Sequence, residues 1–137
     1  MKFMLMTYGT QEDYDGMAGK STGKPAWTPE QFQAMVEFIT ALNKKLEDSG
    51  VLVETRGLDL PVHTRRVTHD NGENVVTDGP YAETQEVLAG YWVVDCDGIE
   101  QATEIAMELS NCPGPEHVQN GAYIDIRPIN DSADELL

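Results

Sequence analysis

Basic side chains are scarce in this chain. Nine Lys and Arg stand against 24 Asp and Glu, giving a formal net charge of −15. Such a field repels a phosphate backbone and an anionic membrane surface, so neither nucleic acid nor membrane is expected as a partner. Long apolar runs are lacking too, and no stretch approaches the ~20 residues of a membrane span. The opening MKFMLMTYG turns polar too soon for a secretory signal, which points to a first strand and a cytoplasmic protein. Cysteine is nearly absent: Cys96 and Cys112 form neither a CxxC pair nor a disulfide framework, and read as reduced structural thiols. Histidine is limited to His63, His69 and His117. Along one strand His63 and His69 would lie ~20 Å apart and could not share a metal. Phosphate-binding glycine loops, zinc spacings, nucleophile elbows and dinucleotide fingerprints are missing, and Asp13 and Asp15 lack the later ligands of a calcium loop. The chain therefore calls for no cofactor and no metal.

What is present suits one globular domain: 137 residues, 40% of them hydrophobic. Lys2 to Tyr8 reads as a strand with both faces apolar, Met4, Met6 and Tyr8 on one side and Phe3, Leu5 and Thr7 on the other. The polar, glycine-rich 9–26 stretch has no periodicity and reads as a variable loop. A helix then starts with Thr28 as cap, Pro29 at its first position and Gln31 closing a capping box. Trp27 and Phe32 suit a hydrophobic staple, and Phe32, Met35, Val36, Ile39, Leu42 and Leu46 form its apolar stripe. VLVETRGLDL and EVLAGYWVVDCD read as strands, and Asp97 with Glu100 suggests a second capping box. A second helix follows, burying Ala102, Ile105, Ala106 and Leu109. AYIDIRPI reads as the last strand, and 129–137 as an acidic tail.

The segment between those middle strands is a hairpin, because Asn71-Gly72 is a strong two-residue turn signal. Such a turn fixes the register: Asp70 opposite Glu73, Val67 opposite Val76, Arg65 opposite Asp78. The Arg65–Asp78 pair would anchor DGPYAETQE, residues 78–86, which crowds a turn, an aromatic ring and the carboxylates of Asp78, Glu83 and Glu86 into nine positions. Structurally it is turn chemistry, with an Asx-type aspartate, a permissive glycine and a ladder-ending proline. Functionally, Asp78, Glu83 and Glu86 could project into a pocket and share acid/base work. The element order, β-α-β, hairpin and strand, then α-β, is that of a ferredoxin-like antiparallel sheet with two helices on one face. Two helices cannot cover both apolar faces, so a homodimer with facing sheets is expected.

VTDGPYAETQEVLAGYWVVD, together with KFMLMTYG, SGVLVETRGLDLP, CPG and IRPI in that order, resembles the YCII-related family. The resemblance is to its DGPF branch, with Tyr81 in place of the usual Phe. It implies a single domain with a ferredoxin-like, dimeric α+β barrel. It also implies relatives that are cofactor-independent lyases or isomerases on small aromatic or lactone substrates, and a His/Asp pair proposed as catalytic in the wider family. No histidine precedes His63 here, so the N-terminal half cannot supply that pair. The DGPF branch tends to be encoded beside extracytoplasmic-function sigma factors, which implies a stress-linked or regulatory role.

Two readings follow. In the first, the protein is a small cofactor-independent enzyme with Asp78 or Glu83 as base. Arg65 or His63 would stabilise negative charge, and Tyr8, Tyr81 and Trp92 would wall the substrate pocket. In the second, the same pocket binds a small-molecule ligand without turnover, or the acidic surface meets a protein partner.

Overall fold

The computed structural model describes residues 1–136, and Leu137 of the acidic tail lies outside the described residues. Strand β1 (Lys2–Gly9) leads into a short helix α1 (Gln11–Met17), the long helix α2 (Pro29–Asp48) and strand β2 (Leu52–Gly57). A 3-10 turn at Pro61–His63 precedes β3 (Arg65–Asp70) and β4 (Glu73–Asp78). β5 (Val87–Asp95), α3 (Ile99–Ser110), the single-turn α4 (Glu116–Gln119) and β6 (Asp125–Pro128) follow, with a last 3-10 turn at Ala133–Leu136. Four strands form one antiparallel sheet in the order β2-β5-β1-β6, while β3 and β4 pair only with each other. The class is mixed α+β, as the pattern of elements predicts. No helix among the described residues is long and apolar enough to cross a membrane.

Alternation along the strands decides where the core sits. Phe3 pairs with Val94 and Leu5 with Trp92, so these four share one face of the sheet. That face is buried against Leu42 and Leu46 of α2 and Ala102, Ile105, Ala106 and Leu109 of α3. The opposite face carries Met4 beside Val93 and Met6 beside Tyr91; none of the four joins the core between sheet and helices, and Met4, Met6 and Tyr91 are only half-buried. α2 begins as its sequence dictates: Thr28 Oγ1 accepts from the Gln31 N–H at 3.1 Å, and Gln31 Oε1 accepts from the Thr28 N–H at 2.9 Å.

Three expectations need correction. The 9–26 stretch is not all loop, since α1 occupies its first half, opened by a capping box of Thr10 and Asp13. A seven-residue helix is too short to display a period, and its middle glycine, Gly16, is buried. Asp97 and Glu100 do not cap α3. Gly98 is the N-cap, without a side-chain bond, and the Asp97 N–H donates to Gln101 Oε1 at 2.9 Å. The stripe of α2 is buried only in its second half: Phe32 and Val36 stay 42% and 43% exposed. Trp27 instead turns inward, its ring set against Gly114, where a Cβ would come within 3.1 Å of it.

Candidate functional site

Where the helices diverge from the sheet, a cavity of about 260 Å³ opens beside a second of about 500 Å³. Both are lined by Tyr8, Met17, Trp27, Met35 and Trp92 among others, so they adjoin across shared, mostly apolar walls and together make up the chamber. Its floor is rigid. Trp27 and Trp92 are 7% and 8% exposed, and Trp92 Nε1 donates to Asn43 Oδ1 at 2.7 Å. That single bond satisfies the indole while leaving its apolar body to the chamber.

The polar groups gather at the exposed side. Tyr123, 47% exposed, donates its hydroxyl to Glu86 Oε2 at 2.5 Å. Tyr8 donates to Asp125 Oδ2 at 2.8 Å, and the two rings stack at 5.0 Å with planes 26° apart. A hydroxyl that donates to a carboxylate is costly to ionise, because the phenolate would face another anion. The Glu86 contact is the main reason the Tyr123 hydroxyl is pushed up to about 12. The Asp125 contact raises Tyr8 in the same way, helped by partial burial. Both tyrosines are therefore neutral hydrogen-bond donors at physiological pH. Burial also raises the Cys112 thiol, which lines the smaller cavity and is held there as an unreactive neutral group.

α1 connects the parts of this arrangement by hydrogen bonds. The Tyr14 hydroxyl, its pKa raised chiefly by burial, donates to the carbonyls of Leu58 and Ala89 at 3.0 and 3.2 Å. The Glu12 N–H donates to the Glu83 carbonyl at 3.2 Å, and Gln11 Oε1 accepts from the Val62 N–H at 2.9 Å. The Glu83 bond ties the 78–86 stretch to α1, and the others tie α1 to the chain around Leu58, Val62 and Ala89.

The candidate residues named from sequence do not meet at one place. Tyr8 and Trp92 line the chamber. Tyr81, Glu83 and His63 line a different groove of about 380 Å³, along with Asp15 and Lys20. His63 lies in the 3-10 turn rather than on a strand, and its Nδ1 is 2.8 Å from Asp59 Oδ2. That contact, with the Leu60 N–H next, holds the Asp59 carboxyl below its usual range. Tyr81 carries the Arg66 guanidinium over its ring, 5.2 Å from the centroid. Arg65 and Asp78 line neither space. They pair with each other, Nε to Oδ1 at 2.6 Å, with side chains 67% and 71% exposed. Of the three carboxylates in DGPYAETQE, Glu86 is the one that reaches the chamber.

The chain belongs to the YCII-related domain family. That family's model matches residues 1–127, which covers every element of the site. The chain is also similar to an uncharacterized protein of Rhizobium meliloti (strain 1021), 31% identical over 104 residues, 76% of this chain and 80% of that one. Family membership thus accompanies the geometry without naming a reaction. Sequence reasoning places Tyr123 and Asp125 in the last strand but misses both as site residues; Asp125 opens β6 and Tyr123 lies two positions before it. Trp27 was visible only as a helix-flanking aromatic, and Asp59 only as part of a strand.

Proposed function

We propose that this member of the YCII-related family, in its DGPF branch, is a small cofactor-independent enzyme of the lyase or isomerase type. The observation that carries the reading is the Glu86–Tyr123 hydrogen bond at the mouth of a chamber floored by two tryptophans. Apolar walls hold the body of a small molecule, and few polar groups converge on its reacting end, as at ligand sites generally. Glu86 takes a proton from a carbon next to an electron-withdrawing group. As Glu86 gains that proton it releases the Tyr123 hydroxyl, which turns to donate to the negative charge that develops. Return of the proton to a neighbouring carbon gives an isomerase, and departure of a leaving group gives a lyase. In this reading Glu86 replaces Asp78 as the base, because Asp78 is committed to Arg65 on the surface.

The test begins with small carbonyl and amine fragments screened by saturation-transfer NMR. Each hit is then incubated with the protein in D₂O, and loss of its C–H signals is followed. Glu86→Gln is expected to slow exchange by about 100-fold or more while the fragment still binds, the usual range for a general base. Exchange that persists unslowed in Glu86→Gln removes Glu86 as the base, and binding with no exchange for any hit leaves the non-catalytic ligand-binding reading in its place.

We also infer a homodimer formed by the uncovered sheet face, which would make the ferredoxin-like unit a dimeric α+β barrel. Pairing registers order that face into two rows: Glu54, Val93, Met4, Arg127, and Arg56, Tyr91, Met6, Asp125. Each row is apolar in the middle and ends in opposite charges. Under either in-plane twofold, a second copy sets Glu54 and Asp125 over basic residues and Arg56 and Arg127 over acidic ones. Such self-complementarity is what an isologous interface requires.

A further inference from the structure

We infer that the ligand of the tryptophan-floored chamber carries a positive charge, as an amine or quaternary ammonium on a small apolar body. This rests on the chamber being the ligand site and specifies what enters it. Glu86 is the only charged side chain lining the smaller cavity among the described residues. Four aromatic rings line the same space: Tyr8, Trp27, Trp92 and Tyr123. Aromatic faces are electron-rich and attract cations, and several rings around one carboxylate are how proteins hold alkylated ammonium groups.

The surroundings point the same way. In the adjoining cavity the charged residues are Asp13 and Arg56. The Asp13 carboxylate is occupied by the Thr10 N–H at 2.9 Å. The Arg56 guanidinium is 68% exposed, donates to the Thr55 carbonyl at 2.9 Å and lies 4.0 Å from Glu54. A carboxylate or phosphate ligand would find no cation in the smaller cavity and would lose its hydration there without compensation. A net charge of −15 adds long-range attraction for cations and repulsion for anions. A positive nitrogen also acidifies the C–H bonds beside it, which suits the carboxylate that faces them.

Three probes with one aromatic body separate the possibilities: benzyltrimethylammonium, benzyl alcohol and benzoate. Binding to the full chain is measured by calorimetry at about 0.15 M salt, where the Debye length is about 8 Å and bulk attraction is reduced. The ammonium should bind at least about tenfold more tightly than the alcohol, the equivalent of one charge-assisted contact, and benzoate more weakly than either. Glu86→Gln should remove that preference and leave the alcohol unchanged. Glu104→Gln, the same charge change on the exposed side of α3, should leave the preference intact.

Benzoate binding as well as the ammonium would overturn the inference, as would equal losses in the two variants. If Glu86→Gln does not fold, the ranking of the three probes on the native chain decides. The outcome is separable from catalysis: a cation preference without proton exchange leaves this inference standing alone. Exchange on neutral carbonyl compounds with no cation preference sinks only this one.

Discussion

Tyr123 shows how one contact sets the chemistry available at the chamber mouth. Its hydroxyl donates to Glu86, and that carboxylate, more than any other cause, moves its ionisation from the ordinary 10.0 up to about 12. The folded-state value lies above the unfolded one. Whatever the contact contributes to stability is therefore complete below pH 10 and is lost as pH rises from about 10 to about 12. The group is too exposed for that contribution to be large, so ultraviolet absorbance is a better reporter than unfolding. In the native chain, one of the five tyrosines should ionise only near 12 and should vanish from the titration in Tyr123→Phe. Glu86→Gln should bring that tyrosine down toward 10, since an amide oxygen accepts the bond without opposing the phenolate. A titration curve indifferent to Glu86→Gln would remove the neutral-donor role assigned to Tyr123.

The hairpin is the element where sequence and structure agree residue for residue. Arg65 faces Asp78, Val67 faces Val76 and Asp70 faces Glu73, as the Asn71-Gly72 turn requires. Asn71 and Gly72 both take positive φ, 48° and 81°, the backbone of a tight two-residue hairpin turn. What the pattern could not disclose is how exposed the pair would be, because β3 and β4 form a sheet of their own. An ion pair in that setting contributes little, so Asp78→Asn should cost less than about 1 kcal/mol in denaturant unfolding. Gly79 matters more. It sits at φ +59° and donates its N–H to the Thr64 carbonyl at 2.8 Å, so Gly79→Ala strains the backbone although a Cβ would fit. It should cost about 1 kcal/mol or more, above Asp78→Asn. The reverse order would make Asp78 the structural residue of the motif. The chamber was less legible than the hairpin for a physical reason. Turns and caps are written in neighbouring residues, whereas Glu86 and Tyr123 are separated by 37 positions and meet only once the sheet is folded. Tyr8 and Trp92 were visible because an aromatic on an apolar strand must be packed against something.

At the scale of the whole molecule, a net charge of −15 opposes self-association, and an apolar sheet face with charged edges favours it. The balance lies with how the charges are placed rather than how many there are. Each row of the uncovered face ends in one acid and one base, so stacking two copies gives attraction at all four corners while the surplus acid lies elsewhere. Met6, half-buried in the isolated chain, occupies the middle of a row beside Tyr91. Met6→Glu would bury two like charges close to the twofold axis and leave the core face, with Phe3 and Leu5, untouched. Sedimentation equilibrium should find the native chain dimeric at micromolar concentration and Met6→Glu monomeric with its helical circular dichroism retained. Arg127→Glu, which turns one corner repulsive without altering the apolar centre, should weaken the dimer by roughly tenfold or more and steepen its dependence on salt. A native chain that stays monomeric at 100-fold higher concentration would rule the facing-sheet arrangement out. The chamber would then have to function as a site complete within one chain.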